Sequence, residues 1–174
     1  MELVLVERRF EQPTDFADIQ HLENVGASCL ETHRVRFLKS FLSRDRRRML
    51  CLYEAPDSES VRLAEDQAKV PYERAWTCQL LGGKLPRDNS PGEYVVAERF
   101  FASPITPEFV ATTFCGAQWC LDLHKASYIE SFLGKDGLRM VCVFRAPDAE
   151  SVRMANTQGG VPYTEIWTAS LHES

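Results

Sequence analysis

The sequence predicts an α+β protein that contains two copies of one βαββαβ unit. The first observation behind this fold class is that the chain repeats itself at a constant offset of 91 residues, as between Glu7 and Glu98. The second is that short apolar segments typical of strands alternate with segments whose apolar residues recur every three or four positions, as in helices. The third is that the repeat occurs only twice, which indicates a domain duplication and not a solenoid.

The elements follow in the same order in both copies. ELVLVERRF is a strand, and the helix after it carries an apolar stripe that includes Phe16, Ile19 and Leu22. VRFLKSFL and RMLCLYEA form a hairpin around a polar turn. Asp57 is placed to cap a second helix, Pro71 ends it, and ERAWTCQL is the last strand. This order is the ferredoxin-like arrangement, with a four-stranded antiparallel sheet under two helices.

The strands predict how the two copies are arranged. LVLV, MLCLY, YVVA and MVCVF are nearly continuous apolar runs, so both faces of each sheet need cover, and helices cover only one. We therefore expect the repeats to pack sheet to sheet as an intramolecular dimeric α+β barrel. The predicted domains are residues 1–81 and 93–174. Residues 82–92, which are rich in Gly, Pro and Asn, form the expected linker.

Composition limits the function classes. The chain has 174 residues, of which 44% are hydrophobic, and a net charge of -5 with both signs interspersed, so we expect a globular protein that does not bind nucleic acid. The N-terminus has no signal-peptide pattern, and no apolar run is long enough to span a membrane. The 6 cysteines include no Cys-x-x-Cys pair, which favours reduced core thiols. The expectation is a soluble, cytoplasmic protein without a membrane partner.

A repeated Cys-x-x-x-His pattern supplies the first candidate site. Cys29 and His33 recur as Cys120 and His124, and on a helix this spacing places thiol and imidazole on one face. The two side chains could share a metal ion, although a closed zinc or nickel site needs four or more ligands. The alternative is a buried thiol beside a histidine near a helix C-terminus.

Glu7 and Glu98 are further candidates for the metal set. Each is a carboxylate inside an otherwise apolar first strand and is followed by an arginine. Such a group must be paired, bind a ligand, or lie near the solvent end of the strand. A pairing of Glu7 with Arg8 or Lys39 is one interpretation, and completion of a Cys/His metal site or a role as a base is the other. Strand parity puts Glu7 on the same face as Leu5 without showing what covers that face.

A third set of repeated residues is suited to line a cavity. Cys51 and Cys142 lie in the middle of apolar strands, and the aromatic residues lie near the C-terminal end of each copy. Core packing is the alternative role for all of them. The set is Tyr72, Trp76, Tyr163, Trp167, Cys51 and Cys142.

The sequence resembles a known bacterial family. The segments SFLSRDRRRMLCLYEAPDSESVRLA and VPYERAW, together with ERRF and CLETHRVRF, are similar to those of short ferredoxin-like domains of unknown function, a family that includes nickel-binding proteins. The resemblance covers both halves nearly end to end. It implies a dimeric α+β barrel and, in the nickel-binding members, a metal held by histidines.

Three functions are consistent with these observations. The first is a small-ligand or metal-binding module, nickel-binding or nickel-responsive, with nickel or another divalent metal as cofactor. The second is a cavity enzyme or carrier like the α+β-barrel monooxygenases and haem-degrading proteins. The third is a structural or protein-binding domain. No nucleotide-binding loop or catalytic triad is present, so we predict no catalytic residues. Partners would be a metal ion or small molecule, with further homo-oligomerisation left open.

Overall fold

The computed structural model describes residues 1–82 and 91–174, apart from the side chains of Phe114 and Cys115. Within these residues the order of elements is the predicted one in both repeats. Repeat 1 contains β1 (Glu2–Arg9), α1 (Phe16–Val25), α2 (Ala27–Thr32), β2 (Arg36–Ser43), β3 (Arg48–Ala55), α3 (Ser58–Ala68) and β4 (Arg74–Gly82). Repeat 2 contains β5 (Glu93–Phe100), α4 (Pro107–Leu123), β6 (Ser127–Gly134), β7 (Arg139–Ala146), α5 (Ala149–Gln158) and β8 (Glu165–Glu173).

The chain divides into two compact units, and strands β4 and β8 each have residues in both of them. Unit 1 is Met1–Cys78 with Ser170–Ser174, and unit 2 is Gln79–Ala169. In unit 1 the strand order is β4, β1, β3, β2 and then the end of β8; in unit 2 it is β8, β5, β7, β6 and then the end of β4. The predicted linker, residues 82–92, falls largely on 83–90, which lie outside the described residues.

The strands within each unit pair antiparallel in matching registers. Val6 lies opposite Cys51 on β3, and Ala97 lies opposite Cys142 on β7. The hairpins β2–β3 and β6–β7 carry a register shift at the same aligned place, between Phe37 and Lys39 in the first. A bulge is thus repeated in both copies, as expected for a strand irregularity that duplication preserves.

Helices α3 and α5, which follow the hairpin of each repeat, begin at the predicted aspartates. The Asp57 carboxylate accepts a hydrogen bond from the Ser60 backbone N–H at 2.7 Å, and the Asp148 carboxylate accepts one from Ser151 at the same distance. Each cap satisfies a helix N–H that has no partner within the helix. These backbone hydrogen bonds lower the pKa of both aspartates.

The first helix differs between the repeats. The sequence predicts one continuous helix in each, but in repeat 1 it is interrupted at Gly26, which separates α1 from α2, whereas α4 is continuous. The burial of α1 also departs from the predicted stripe. Leu22 is 38% exposed and Glu23 is 5% exposed. The reason is a buried arginine on β1, which requires an opposite charge from this helix.

Candidate functional site

A buried arginine lies at the same place in both repeats. On β1, Val4 and Val6 face the helices and belong to the helix-side core of unit 1, and strand alternation puts Arg8 on the same face. Arg8 is 1% exposed and Arg99, its counterpart on β5, is 3% exposed. Burial of a guanidinium is costly unless polar groups surround it, so its partners define the chemistry of each unit.

In unit 1 the guanidinium is held by two carboxylates. Nη2 of Arg8 donates to Glu23 Oε1 at 3.1 Å and to Glu65 Oε1 at 3.0 Å. It also donates to the Tyr53 hydroxyl at 2.9 Å, and Nη1 donates to the carbonyl of Pro71 at 2.7 Å. The Tyr53 hydroxyl in turn donates to Glu23. Helix α1, helix α3 and strand β3 therefore all contribute to one buried polar cluster.

The two carboxyls of this cluster share a single positive charge. Burial, and next the neighbouring Glu65, raise the pKa of Glu23 to about 7, although the hydrogen bond from Tyr53 and the charge of Arg8 oppose the change. Burial also raises the pKa of Cys51, which lies beside the cluster, to about 11. Glu23 therefore takes up a proton in the neutral pH range, while the Cys51 thiol stays protonated.

In unit 2 the corresponding arginine has different neighbours. Nη2 of Arg99 donates to Asn156 Oδ1 at 2.7 Å, Nη1 donates to the carbonyl of Pro162 at 2.8 Å, and Nε lies 3.3 Å from the thiol sulfur of Cys142. The Pro162 contact repeats the Pro71 contact of unit 1. In the sequence, Asn156 and Phe114 stand at the positions of Glu65 and Glu23.

Arg99 also lines a cavity inside unit 2. The cavity has a volume of about 260 Å³ and lies between strands β5 and β7 and helix α4, with the loop after α5 closing one side. Its wall is mostly apolar, with Arg99 and Thr113 as polar members. The apolar lining includes Phe101, Ile105, Val110, Met140, Val161 and Pro162. An apolar cavity with one cation in its wall can hold a small molecule of mixed character.

The two Cys-x-x-x-His pairs have different environments. Cys120 is fully buried within the apolar core of unit 2, whereas Cys29 is half-buried. The histidines behave alike: His33 Nε2 lies 3.0 Å from Gln67 Oε1, and His124 Nε2 lies 2.8 Å from Gln158 Oε1. A glutamine on α3 or α5 thus orients the imidazole in each repeat.

Glu7 and Glu98 lie on the face of the sheet opposite the buried arginines. The indole N–H of Trp76 donates to Glu7 Oε2 at 2.8 Å, and the indole N–H of Trp167 donates to Glu98 Oε2 at 2.7 Å. Arg74 approaches Glu7 at 3.5 Å. Residues of the adjacent strand thus bind both carboxylates. Arg74, the cation beside Glu7, was not among the predicted partners, and Arg8, which was predicted, lies on the opposite face of the sheet.

The structure does not gather the candidate metal ligands into one cluster. Within residues 1–82 and 91–174, no group of three or more histidine, cysteine, aspartate or glutamate residues is placed to hold a metal ion. Among the described residues, each repeat therefore offers an imidazole oriented by a glutamine, His33 or His124, and no closed set of protein ligands around it.

The residues proposed to line a cavity lie outside the wall of the cavity in unit 2. Trp76 and Trp167 bind the carboxylates described above, Cys51 is fully buried beside the Arg8 cluster, and Tyr163 is 37% exposed. Cys142 contacts Arg99 and so lies directly behind the wall. Burial raises the pKa of Tyr72, whose phenol also faces Asp66.

Sequence reasoning missed the burial of Arg8 and Arg99. The signal was present, because ERRF and ERFF keep an arginine at the second position, in alternation with two buried aliphatic residues of the same strand. The signal is weak because Glu7, one residue earlier, already interrupts the apolar pattern of the strand.

Comparisons with known proteins bear on the fold and the family. The family model described as "Nickel responsive protein SCO4226-like" matches residues 5–77 and again residues 94–168. No match to the chain is found among proteins of curated function. No helix in the described ranges has the length and apolar character needed to cross a membrane.

Two solved structures share the fold over nearly the whole chain. A candidate chlorite dismutase aligns with a TM-score of 0.52 at 14% identity and covers 99% of this chain and 96% of its own. A haem-binding protein from Thermus thermophilus aligns with a TM-score of 0.50 at 8% identity and covers 99% and 91%. At these identities the likeness shows the fold alone. It confirms the predicted class, tandem ferredoxin-like repeats of the dimeric α+β barrel type.

Proposed function

The chain belongs to the SCO4226-like family of nickel-responsive proteins, and we propose that it is a small-ligand-binding module whose binding site is the cavity of unit 2. The observation that carries the proposal is a cavity of about 260 Å³ with an apolar wall and one buried arginine. An apolar cavity of about 150 Å³ is enough to accept benzene, so this one has room for a substituted ring.

Binding of a neutral aromatic probe tests this function. Benzyl alcohol is titrated into protein with labelled methyl groups, and we expect saturable shifts at Ile105, Val110 and Met140, which line the cavity. Thr113→Trp should abolish the shifts, because Thr113 lines the cavity and an indole at this position would fill it. Thr112→Trp is the matched control, since Thr112 is the preceding residue of α4 and is exposed. Absence of shifts in the wild-type protein would refute the proposal.

Nickel binding is a second candidate, and the repeated His–Gln contact favours it. When Nε2 of an imidazole donates to the oxygen of Gln67 or Gln158, the other nitrogen keeps its lone pair for a metal. Ligand histidines usually have their second nitrogen fixed in this way, and imidazole is a good donor to Ni²⁺. Each repeat would contribute few donors, so water would complete the coordination.

Calorimetric titration with Ni²⁺ and Zn²⁺ measures this second candidate. We expect heat of binding in the wild-type protein and its loss in the double variant His33→Ala/His124→Ala. His21→Ala is the control, because His21 is exposed on α1 and has no histidine counterpart in repeat 2. Equal heats in the wild-type protein and the double variant would remove His33 and His124 as ligands.

A further inference from the structure

The two buried arginines are held in the same way on one side and differently on the other. Nη1 donates to the carbonyl of Pro71 in unit 1 and to that of Pro162 in unit 2, at 2.7 Å and 2.8 Å. The guanidinium is therefore anchored by the same loop in both repeats. The two units differ in the groups that contact Nη2.

In unit 1, carboxylates occupy the Nη2 side. Glu23 reaches it from α1 and Glu65 reaches it from α3, both within 3.1 Å. Both are side chains of the protein. Because the two repeats share one fold, unit 1 indicates that the place beside this arginine accepts a carboxylate. A charge-assisted hydrogen bond from arginine to carboxylate is about twice as strong as a neutral one.

In unit 2 the chain encodes no carboxylate at either position. Phe114 aligns with Glu23, and Asn156 aligns with Glu65. Arg99 lines the cavity, and so does Thr113, which stands where repeat 1 has the longer Leu22. An arginine at the wall of an apolar space supplies a planar set of donors and a positive charge in a medium where electrostatic interactions are strong.

We propose that the cavity of unit 2 takes a compact, apolar carboxylic acid, such as an aromatic one, whose carboxylate binds Arg99 in the way that Glu23 binds Arg8 in unit 1. This inference rests on the proposed function, because it names the ligand class of the same cavity. The ring or branched chain of the ligand contacts the apolar wall formed by residues such as Ile105 and Met140. The carboxylate gives specificity, since a neutral analogue of the same shape lacks the ionic contact.

A pair of probes of nearly equal shape separates this inference from the proposed function. Benzoate and benzyl alcohol are titrated separately into the wild-type protein, with methyl shifts of the cavity wall as the readout. We expect benzoate to bind about tenfold more tightly, the typical gain from a hydrogen bond to a charged group. Equal affinities would overturn the carboxylate inference and leave the small-ligand function standing. Absence of binding by both probes would overturn both.

Variants at two arginines check that the preference comes from Arg99. Arg99→Met should lower benzoate affinity to that of benzyl alcohol, whereas Arg99→Lys should keep part of the preference. Arg9→Met is the control: it removes the same charge from an exposed side chain that pairs with Glu73 on unit 1. A preference for benzoate that persists in Arg99→Met would assign the selectivity to another group. The wild-type comparison remains decisive if this variant fails to fold.

Discussion

At the residue scale, the two repeats neutralise one buried arginine by different means. Arg8 is surrounded by Glu23, Glu65 and Tyr53, so unit 1 holds more acidic groups than its single cation can balance. Arg99 contacts Asn156 and Cys142. Duplication preserved the arginine and its proline carbonyl, and the acidic partners diverged. Unit 1 contains a group that titrates near neutral pH, and unit 2 contains a cavity.

The first prediction concerns the stability of unit 1 as a function of pH. The pKa of Glu23 rises from an ordinary value of 4.5 to about 7 on folding, so the folded state binds this proton more tightly than the unfolded state. The contribution is fully present below pH 4.5 and is lost as the pH rises through 7. Relative to Glu23→Gln, the free energy of unfolding should fall by about 1.4 kcal/mol per pH unit in this window.

Urea unfolding of both proteins at several pH values between 4 and 8 measures this difference. The Gln variant cannot titrate, so its curve supplies the baseline for the wild-type protein. Arg8, Glu65, Tyr53 and Cys51 are the charged or titratable groups that face Glu23 and remain in both proteins. Parallel curves for the two proteins would contradict the assignment.

The second prediction compares two adjacent arginines. Arg8→Ala leaves two buried carboxyls without their cation and should lower the free energy of unfolding by about 3–5 kcal/mol. Arg9→Ala removes an exposed ion pair with Glu73 and should cost at most about 1 kcal/mol. Denaturant unfolding at neutral pH measures both. Similar losses in the two variants would show that the buried cluster is not a special source of stability.

At the element scale, the helices of each repeat meet at a contact between one glycine and one alanine. In repeat 1, a side chain at Gly26 would overlap the Cβ of Ala68. In repeat 2 the order is reversed, and a Cβ at Gly159 would lie 2.9 Å from the Cβ of Ala117. Each repeat thus places one methyl group at this helix crossing. The glycine falls within the first helix only in repeat 1, where α1 and α2 are separated.

The third prediction exchanges the two residues of this contact. Gly26→Ala alone should destabilise the protein by about 1–3 kcal/mol, because it forces two methyl groups into the space of one. Gly26→Ala/Ala68→Gly reproduces the pairing of repeat 2 and should recover most of that loss. Thermal unfolding measures the single and double variants.

A glycine with open surroundings is the control for this exchange. Gly116 lies inside α4, and a Cβ there would meet no atom within 4 Å. Gly116→Ala should therefore stabilise the protein by about 0.5–1 kcal/mol through the helix preference of alanine. A double variant as unstable as Gly26→Ala alone would show that the crowding at Ala68 is not the cause of the loss.

At the scale of the whole molecule, the compact units do not end where the sequence repeats end. Ser170–Ser174 belong to unit 1, where the Ser174 N–H donates to the carbonyl of Leu38 at 3.1 Å. The ring of His172 stacks on Phe16 with centroids 4.1 Å apart. Repeat 1 therefore completes its own unit only with the last residues of the chain.

The fourth prediction follows from these contacts. Deletion of residues 170–174 should increase amide exchange in β2 and around Phe16, because both lose a neighbour on one side. Hydrogen exchange followed by mass spectrometry measures the change peptide by peptide. Deletion of Ser174 alone, which removes one hydrogen bond, is the control and should affect mainly the region of Leu38. Unchanged protection in β2 after the longer deletion would contradict the prediction.

Much of the fold could be predicted because the constant offset of 91 residues and the hydrophobic periodicity are both visible in the sequence without knowledge of contacts. The order of elements follows from them, and the caps at Asp57 and Asp148 follow from the residue type ahead of each helix. The interruption at Gly26 could not be predicted, because glycine is tolerated within helical patterns and its close contact with Ala68 lies far away in the chain. The burial of Glu23 could not be predicted either, since only the position of Arg8 explains it.

The primary structure was thus sufficient for the class of fold, the duplication and the repeated residue types, since these depend on periodicity and on one constant offset. Only the folded chain decided that Arg8 faces the helices and Glu7 the other face, because alternation along a strand defines two faces without saying what covers each. It also decided that Cys120 is core while Cys29 is half-buried, and that Arg99 lines a cavity. The reason is that these properties depend on distances between residues far apart in sequence.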